Sequence, residues 1–599
     1  MFQREIRWPI WALVLMSAGG LLKHLRLHPP AESFFFWIPV IVGAFNIIVL
    51  PFLFNRRSTA SAAYVINWTT VFVGTVTMAF YSIAGWQREV NLLTIVLYST
   101  LGDILILAAR LPIGEIIMDH YRETEPEERS PEQADPAPTA PRPEPEPPGA
   151  PVASVSAMAP GARLALQIIV IALFVALLAF VAWLPLRHFA RVADAIGPLH
   201  GALGLAGRAA ALLAATLIMT QFVFGARLRL LDEAFGLDRV LRIHRVTGAT
   251  AVVLALLHPM LLYVTPQYEY GAFSLDRWPE ALGALALTAL LFIAVTSIWR
   301  KLLGLRYETW HRLHYLGFAV VVLAGVHSLQ LGSDLFNGPE RTVWMAVLGA
   351  YALLFVWARV IRPRIIAARR WTVERVAPVS HDTWRLDLAP RGHRGIRQLP
   401  GQFGLLTLHR DDAPNERHPF TISSPPREDG SVSFTIKQSG DYTERIGETP
   451  EGVSAVVEGP WGQFSHLRHG GERLVMIAGG VGITPILSMI RHMAARGDER
   501  SITLIWGNRT EADILYREEI EGLAERLDLR VIHVLSEQED YAGETGHLDA
   551  ALLARLLDDG ERSGEVYLCG PPPMMALVRD ALGGLGIPRS RIHSERFEL

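Results

Sequence analysis

The chain has 599 residues, half of them hydrophobic and only 19% charged, and its formal net charge is −3. Soluble domains average about a quarter charged residues, so this composition predicts a membrane protein. The length exceeds what one core supports and predicts several domains. The near-neutral charge gives no basis for nucleic-acid binding. The single cysteine, Cys569, excludes an internal disulfide and a thiolate-ligated metal site.

Apolar runs of about 20 residues, long enough to cross a bilayer, recur before Arg370. They lie near 8–28, 33–54, 62–86 and 91–111 in a first block, and near 163–185, 207–225, 241–265, 281–299, 312–331 and 342–362 in a second. The first run is interpreted as a retained span, because no small-residue cleavage site follows it. Residues 122–160, between the blocks, hold eleven prolines and many acidic residues, which predicts an extended linker.

The placement of lysine and arginine predicts the orientation, since cytoplasmic loops are enriched in these residues. In the second block they follow the second, fourth and sixth runs, at Arg227, Arg229, Arg239, Arg242, Arg300, Lys301, Arg306, Arg359, Arg362, Arg364, Arg369 and Arg370. The loop between the third and fourth runs is acidic. The linker, the N-terminus and everything after Arg370 are therefore predicted to lie in the cytoplasm.

After Arg370 the pattern changes to short strands, and then to strands separated by helices. The sequence thus predicts a multi-domain membrane protein, in which α-helical transmembrane bundles of about four and six helices precede an antiparallel β-barrel and a parallel α/β domain. The predicted divisions are an N-terminal membrane domain of unknown role (1–120), the linker (121–160), a six-helix membrane domain (161–370), the barrel (371–468) and the α/β domain (469–599).

Histidines stand at membrane depth, where ionisable side chains are costly and mark functional sites. The third run of the second block carries His244 and His258, and the fifth carries His314 and His327. Both runs cross outward, so His244 and His314 are expected on the inner side and the other two nearer the outer side. Two imidazoles at each of two depths suit two bis-histidine haems. A structural hydrogen bond is the alternative for any one of them.

The two histidine spacings differ. The fourteen residues from His244 to His258 return to nearly the same helix face, whereas the thirteen from His314 to His327 leave those side chains about 140° apart. Either the fifth run is locally distorted or its register differs. His311, one turn before His314, is the rival ligand.

Two segments of the predicted barrel stand out. One is the run Arg417-His418-Pro419-Phe420-Thr421-Ile422-Ser423-Ser424, and the other, residues 436–443, offers Lys437, Gly440 and Thr443. They resemble the HPFT strand and the Gly-Asp-aromatic-Thr turn of the ferric reductase and NADPH oxidase superfamily. The resemblance implies that both segments bind FAD. An ordinary strand is the alternative for the first segment taken alone.

A glycine-rich turn precedes a helix in the α/β domain, an arrangement that brings backbone amides to a diphosphate. Its candidate residues are Gly479, Gly480, Gly482, Thr484 and Pro485. Downstream, Cys569, Gly570 and Pro571 resemble the CGPP motif of ferredoxin–NADP reductase-like domains. The resemblance implies that Cys569 lies by the nicotinamide ring. A small buried residue at a strand end is the alternative.

Two further positions concern the nucleotide. Phe597 matches the terminal aromatic residue that shields the flavin in this family until nicotinamide displaces it, and a frayed tail is the alternative. Asn508 and Arg509 follow the second strand, with Tyr516 beyond, and are suited to the 2′-phosphate of NADPH. NADPH is thus favoured over NADH, although a solvated charge is the alternative for Arg509.

The resemblance covers residues 163–599. It includes the spacings of the family's haem histidines, which favours His314 over His311. Oxygen-reducing members tend to place a second histidine where this chain has Leu262, so a ferric chelate is favoured over oxygen as the acceptor. Arg187, His188 and Arg191 are either an acceptor site or, on the preferred interpretation, interfacial anchors.

The predicted function is that of a multi-pass oxidoreductase of the cell membrane, embedded in lipid, with its flavin and nucleotide domains in the cytoplasm. It moves electrons from NADPH or NADH through FAD and two b-type haems to a small-molecule acceptor outside. The alternatives are an electron-transfer subunit feeding a membrane or extracytoplasmic partner protein, and a haem redox sensor. Asp103, in the fourth run, is a functional candidate or a helix-pairing carboxylate.

Overall fold

The computed structural model describes residues 151–263, 265, 278–301, 303–332, 335, 338–411, 415–440 and 442–595. The described residues fall into two compact units. The helical unit comprises residues 172–225 and 243–353, and the sheet unit comprises residues 151–171, 226–242 and 354–595. The predicted four-helix block at the N-terminus, with Asp103, lies outside the described residues.

Six segments of the described chain are long and apolar enough to span a membrane, and they match the six runs predicted for the second block. The helices of this part of the chain are α1 Pro160–Leu186, α2 Phe189–Ile196, α3 Pro198–Gly225, α4 Arg229–Phe235, α5 Leu237–Tyr263, α6 Trp278–Ile298, α7 Tyr307–His314, α8 Gly317–Leu331, α9 Pro339–Val356 and α10 Arg362–Ala368, of which α4 lies between two spans. A π-helical stretch, Trp357–Ile361, joins α9 to α10. Helix α3 begins earlier than predicted, because the small and apolar residues from 198 to 206 extend it.

The helical unit packs around α3, which contributes buried residues to both clusters described here. One cluster surrounds Trp344 and includes Val181 and Met219. The other joins Leu217 and Ala251 to Ile293 and Val320, from α3, α5, α6 and α8. Such contacts hold the histidine-bearing helices α5 and α8 in a fixed bundle.

The barrel is an antiparallel sheet of six strands in the order β4-β3-β6-β1-β2-β5. The strands are β1 Arg370–Ser380, β2 Thr383–Pro390, β3 Phe403–Leu408, β4 His418–Thr421, β5 Val432–Lys437 and β6 Ser454–Trp461. A bridge between Ile422 and Phe434 joins the two edge strands and closes the sheet. This architecture is the predicted one.

The nucleotide domain has a parallel sheet in the order β10-β9-β8-β7-β11-β12. Its strands are β7 Arg473–Gly479, β8 Ser501–Asn508, β9 Leu529–Leu535, β10 Glu544–Thr545, β11 Glu565–Cys569 and β12 Ile592–Glu595. Its helices are α11 Ile483–Arg496, α12 Arg517–Ala524, α13 Ala550–Leu556, α14 Asp559–Arg562 and α15 Pro572–Gly584. The two edge strands, β10 and β12, were missing from the sequence-based prediction.

The end of the predicted linker is more ordered than expected. Val152 forms a β-bridge with Arg427 of the barrel. The Ala153 N–H donates to the Pro426 carbonyl at 2.8 Å, and Ala153 is buried. The proline-rich composition predicted no docking here, whereas these residues pair with the barrel before α1 begins at Pro160.

Candidate functional site

The four histidines form two pairs within the helical unit. The ring centroids of His244 and His314 lie 6.0 Å apart, and those of His258 and His327 lie 6.2 Å apart. Imidazole nitrogens bind transition metals at about 2.0–2.1 Å, which puts two axial rings on one iron roughly 6 Å apart between centroids. The spacing of both pairs therefore fits bis-histidine haem ligation.

Three of the four rings are oriented by hydrogen bonds through Nδ1, and in two of them the partner is a backbone carbonyl. His258 Nδ1 lies 3.0 Å from the Gly207 carbonyl, and His327 Nδ1 lies 2.8 Å from the Pro279 carbonyl. Donation from Nδ1 to a carbonyl fixes the tautomer in which Nε2 keeps its lone pair for a metal. The arrangement is typical of metal-ligating histidines.

The inner pair is held differently. His314 Nδ1 lies 3.3 Å from Ser297 Oγ, which also accepts from Trp310 Nε1 at 3.2 Å. Because Ser297 Oγ donates to the Ile293 carbonyl at 2.6 Å, it is left as an acceptor for the ring. His244 Nδ1 is buried without a hydrogen-bond partner in the described part of the chain.

A break in the fifth span resolves the odd spacing of its histidines. Helix α7 ends at His314, and α8 begins at Gly317. Between them the Tyr315 and Leu316 N–H groups bond to carbonyls three residues back, and this tighter turn rotates the following helix. The local distortion considered above is therefore present.

The rival ligand His311 lies among aromatic rings. Its ring stacks on Tyr307 at 5.6 Å and contacts Tyr315 at 4.8 Å. The ring paired with His244 belongs to His314.

One of the two candidate arginines, Arg187, is already engaged. Arg187 forms an ion pair with Glu340 at the start of α9, and its Nε donates to His188 Nε2 at 3.1 Å. These contacts join the ends of two spans and fit an anchoring role.

The flavin motif forms β4 and the residues after it. The His418 ring stacks on Tyr442 at 3.9 Å, and Arg417 pairs with the buried Glu458 at 2.8 Å. Thr421 is buried at the end of β4, as is Ile422 beyond it. Pro419 and Phe420 are half-buried within the strand.

Two residues predicted to bind FAD also contact the nucleotide domain through their backbone carbonyls. The Ser424 carbonyl accepts from Ser488 at 2.8 Å. The Ser423 carbonyl accepts from Arg491 at 2.8 Å. These contacts use the two backbone carbonyls, and both serine side chains are buried.

The second flavin element is a turn with internal hydrogen bonds. Gly440 has φ +94°, and the Ser439 N–H donates to Thr443 Oγ1 at 2.8 Å. Lys437 forms an ion pair with Asp382 at 2.9 Å. Thr443 therefore shapes the turn.

The two nucleotide motifs meet at the carboxyl ends of the adjacent strands β7 and β11. A Cβ built on Gly482 would lie 2.4 Å from the Cys569 carbonyl oxygen, and one on Gly479 would lie 2.9 Å from Pro571 Cδ. Only glycine permits this approach. Ligands of parallel sheets bind at such strand ends.

The rest of the glycine turn is fixed by hydrogen bonds. Gly480, with φ +50°, accepts from Trp506 Nε1 at 3.1 Å. Thr484 Oγ1 donates to the Val481 carbonyl at 3.0 Å, and its neighbour Pro485 is buried in the first turn of α11. Gly570 follows Cys569 and packs on Gly479.

One nucleotide candidate is corrected by the structure. Tyr516 is buried, and its hydroxyl lies 2.9 Å from Thr435 Oγ1 of the barrel, so it joins the two domains and is not available to a 2′-phosphate. Arg509 is 56% exposed and lies 3.8 Å from Asp513. It remains accessible.

Cys569 is fully buried, and burial raises the pKa of its thiol well above the usual range. It pairs with Glu595 across β11 and β12. Burial also raises the pKa of the Glu595 carboxyl well above its usual range. Sequence reasoning missed Glu595 because its burial depends on β12. Phe597 lies outside the described residues.

Comparisons with known proteins agree with these motifs. Residues 210–325 match the family described as ferric reductase like transmembrane component. Residues 476–580 match the oxidoreductase NAD-binding domain.

Among curated relatives, the glycine betaine monooxygenase reductase subunit of Pseudomonas aeruginosa is 35% identical over 206 residues, which are 33% of this chain and 56% of the relative. The reductase component of propane 2-monooxygenase from Rhodococcus jostii is 32% identical over 38% of this chain and 63% of its own length. The chain thus spans less than two thirds of these two relatives.

Solved structures similar to parts of the chain include the ferredoxin reductase in carbazole 1,9a-dioxygenase, at 25% identity and a TM-score of 0.35, covering 38% of this chain and 69% of that one. Another is the flavohemoglobin from Malassezia yamatoensis, at 19% identity and a TM-score of 0.37. That match covers 70% of this chain and 98% of the flavohemoglobin.

The fold and the family matches define a membrane-spanning oxidoreductase of electron transport with an NAD-binding domain. The two family matches agree with the resemblance to the ferric reductase and NADPH oxidase superfamily, since one falls largely in the helical unit and the other in the nucleotide domain.

Proposed function

We propose that the protein carries electrons from cytoplasmic NAD(P)H through FAD and two b-type haems to a ferric chelate outside the membrane. The observation that carries this proposal is the pairing of the four histidine rings at 6.0 and 6.2 Å. When bound, FAD accepts a hydride and releases single electrons, which the haem irons carry one at a time. His244 and His314 would hold the inner haem, and His258 and His327 the outer one.

Residues of the sheet unit would bind and orient NADPH and FAD. The turn of Gly479, Gly480 and Gly482 would bind the diphosphate. At Gly480 nothing lies within 4 Å of a built Cβ, whereas Gly479 and Gly482 let the turn pack closely on Cys569 and Pro571. The exposed Arg509 is the accessible cation for the 2′-phosphate of NADPH. Cys569 and Phe597 are proposed beside the nicotinamide and the flavin.

The FAD segments would act through different groups. Arg417 and His418 are partly exposed and adjoin the flavin strand, and Lys437 ends β5. These cationic or hydrogen-bonding groups suit the FAD pyrophosphate. Thr421 would lie by the isoalloxazine, as the resemblance implies.

The surroundings of the outer pair support a ferric chelate over oxygen. Leu262 is buried and lies over Gly207, the residue whose carbonyl orients His258. An apolar side chain therefore occupies the position where oxygen-reducing relatives carry a histidine, and it offers no hydrogen bond to bound oxygen.

The orientation and the acceptor are tested with sealed inverted membrane vesicles, which expose the cytoplasmic face. NADPH added outside is expected to reduce a ferric chelate trapped within, and a His258→Leu variant is expected to lose this activity while its flavin is still reduced. NADPH oxidation by right-side-out vesicles alone would contradict the orientation. Reduction of the trapped chelate by the variant would contradict the route.

A second candidate function is an electron-transfer subunit that feeds a protein partner. The observation in its favour is that both curated relatives above are reductase components of monooxygenases. Under this function NADPH reduces the purified protein, which then stays reduced with ferric chelates and air until a membrane extract is added.

A further inference from the structure

The last candidate span continues into the sheet unit. The span covers Pro339–Ala368, and its residues from 354 onward belong to the same compact unit as the barrel. Three large apolar side chains of this part are exposed: Trp357, Ile361 and Ile365. Exposed apolar side chains on a spanning helix need hydrocarbon around them, and tryptophan favours the membrane–water interface. The membrane surface is therefore expected close to the point where α10 ends and β1 begins.

A loop of the barrel folds against this point. Residues 391–402 join β2 to β3, and the Arg391 N–H donates to the carbonyl of Arg370, the first residue of β1, at 2.8 Å. His393 Nε2 lies 2.9 Å from the same carbonyl, and His393 Nδ1 accepts the Gly395 N–H at 3.1 Å. Because Nδ1 accepts, Nε2 carries the proton and donates. One imidazole thus ties the loop to the chain that leaves the last span.

The barrel core fixes the same loop from the other side. Ile396 is buried in that core, and its N–H donates to the Gly430 carbonyl at 3.3 Å. Gly395 has φ +66°, and a Cβ built on it would lie 2.1 Å from the Gly430 carbonyl oxygen. Only glycine fits this position. The backbone is therefore fixed where Arg394 and Arg397 flank Ile396, and both arginines are exposed.

Exposed arginines gather where the loop meets the end of α10. We call this cluster the basic platform, and its members are Arg369, Arg370, Arg391, Arg394 and Arg397. In the described part of the chain, none of these five side chains forms an ion pair or a hydrogen bond. Another exposed arginine of the sheet unit, Arg555, pairs with Glu544 at 2.5 Å. The platform therefore presents five like charges that no carboxylate of the described chain neutralises.

We propose that the basic platform binds the anionic headgroups of the membrane leaflet at this end of the last span. Clusters of Lys and Arg next to a span attract anionic lipid, and the planar guanidinium group matches phosphate oxygens in pairs. A lipid surface is favoured over an acidic protein, because the exposed Trp357 and Ile361 place hydrocarbon beside the platform. Binding would hold the start of β1 and the loop after β2 at the lipid surface.

The test is hydrogen–deuterium exchange of the full-length protein in lipid nanodiscs, followed in peptides that cover residues 391–398. The discs contain either phosphatidylcholine alone or an equimolar mixture of phosphatidylcholine and phosphatidylglycerol. We expect these peptides to exchange about fivefold more slowly in the anionic discs, because bound headgroups cover the loop. High salt, which screens exposed charges, is expected to abolish the difference between the two kinds of disc.

Two variants with matched charge give the comparison. The loop variant replaces the three arginines of the loop by glutamine: Arg391→Gln, Arg394→Gln and Arg397→Gln. It is expected to exchange at the same rate in both kinds of disc. The control variant replaces three exposed arginines of the nucleotide domain: Arg496→Gln, Arg526→Gln and Arg589→Gln. It is expected to keep the wild-type difference. If the loop variant fails to fold, Arg394→Gln alone is expected to give a smaller difference than the wild type.

Three outcomes would overturn the proposal. The first is equal exchange of the wild-type loop in both kinds of disc, and the second is a lipid-dependent difference that survives in the loop variant. The third is exchange that is equal in both discs and slows only when a cytosolic extract is added, which would assign the basic platform to a protein partner. None of these outcomes depends on flavin or haem reduction, so they are distinguishable from a failure of the proposed function.

Discussion

At the scale of single residues, glycine determines how closely the outer histidine pair approaches its supporting helices. The Gly207 carbonyl orients His258, and Gly283 lies directly against the ring of His327. Neither glycine attracts notice in the sequence, because small residues are common in membrane helices. Their roles become visible only when the positions of the facing rings are known.

Substituting Gly283 by alanine is expected to displace the outer ligand. The new Cβ would lie 2.6 Å from His327 Cε1, closer than packed side chains allow, so the ring must leave its bond to Pro279. We expect the protein to lose about half of its haem, the share of one of two bis-histidine sites. Haem extraction per chain measures the loss. Gly349→Ala is the control, because nothing lies within 4 Å of a Cβ built there. Full haem content in Gly283→Ala would refute the assignment of His327 as a haem ligand beside Gly283.

Two buried histidines in the sheet unit respond to acid. The rings of His466 and His492 lie 5.2 Å apart, and their nitrogens have no hydrogen-bond partner in the described part of the chain. Burial, then the neighbouring His492 and Arg500, lowers the pKa of His466 to about 3, with Asp498 opposing. Burial, then Arg496, lowers the pKa of His492 to about 4, with Asp498 opposing and Arg500 adding to the shift.

These shifts predict acid sensitivity of the folded protein. The unfolded chain takes up the protons near pH 6.5, before the folded one, so stability falls as pH drops from about 6.5 towards 4, by about 1.4 kcal/mol per pH unit for each histidine. The temperature of flavin release from the full-length protein measures this. His492→Gln should lose less stability than the wild type between pH 6.5 and 5, whereas His381→Gln, at an exposed position, should behave like the wild type. Equal acid sensitivity in all three proteins would contradict the assignment.

At the scale of elements, most helices and strands were predictable because each has a strong local pattern. The apolar spans are long, and the barrel strands β1 to β6 fall in the region after Arg370 where the sequence predicted short strands. Elements that depend on tertiary partners were not predictable. Strand β12 forms by pairing with β11, and the linker end pairs with the barrel through Val152.

The break between α7 and α8 shows why the spacing of the histidines alone could not decide between His311 and His314 as the inner haem ligand. A regular helix would turn His314 away from the face of His327, but the tight turn at Tyr315 and Leu316 changes the rotation. No proline marks this turn in the sequence, so the thirteen-residue spacing indicated a distortion without locating it.

The break between α7 and α8 gives a direct prediction for His311 and His314. His314→Ala is expected to remove the inner haem, whereas His311→Ala, which removes a ring stacked on Tyr307 and tilted against Tyr315, is expected to keep both haems. Absorbance spectra of the two purified variants, scaled to flavin, check this. Loss of haem from His311→Ala alone would reverse the assignment.

At the scale of the whole molecule, the chain combines a membrane bundle carrying paired histidines with a flavin and nucleotide module. The cofactor motifs were predictable because glycine turns and the HPFT run are contiguous in sequence. The side chains that support these motifs were not predictable, since Ser297 contacts His314 on another helix and Glu595 pairs with Cys569 on another strand. Burial and partner identity, which only the fold defines, give these side chains their roles.

The most direct test of the account is an anaerobic absorbance spectrum of the purified full-length protein, recorded before and after NADPH. The account predicts bands of low-spin haem before addition, and their conversion to the reduced form by NADPH along with the flavin. A sample that contains flavin and reduces it with NADPH, but shows no haem band, would contradict the assignment of His244, His258, His314 and His327.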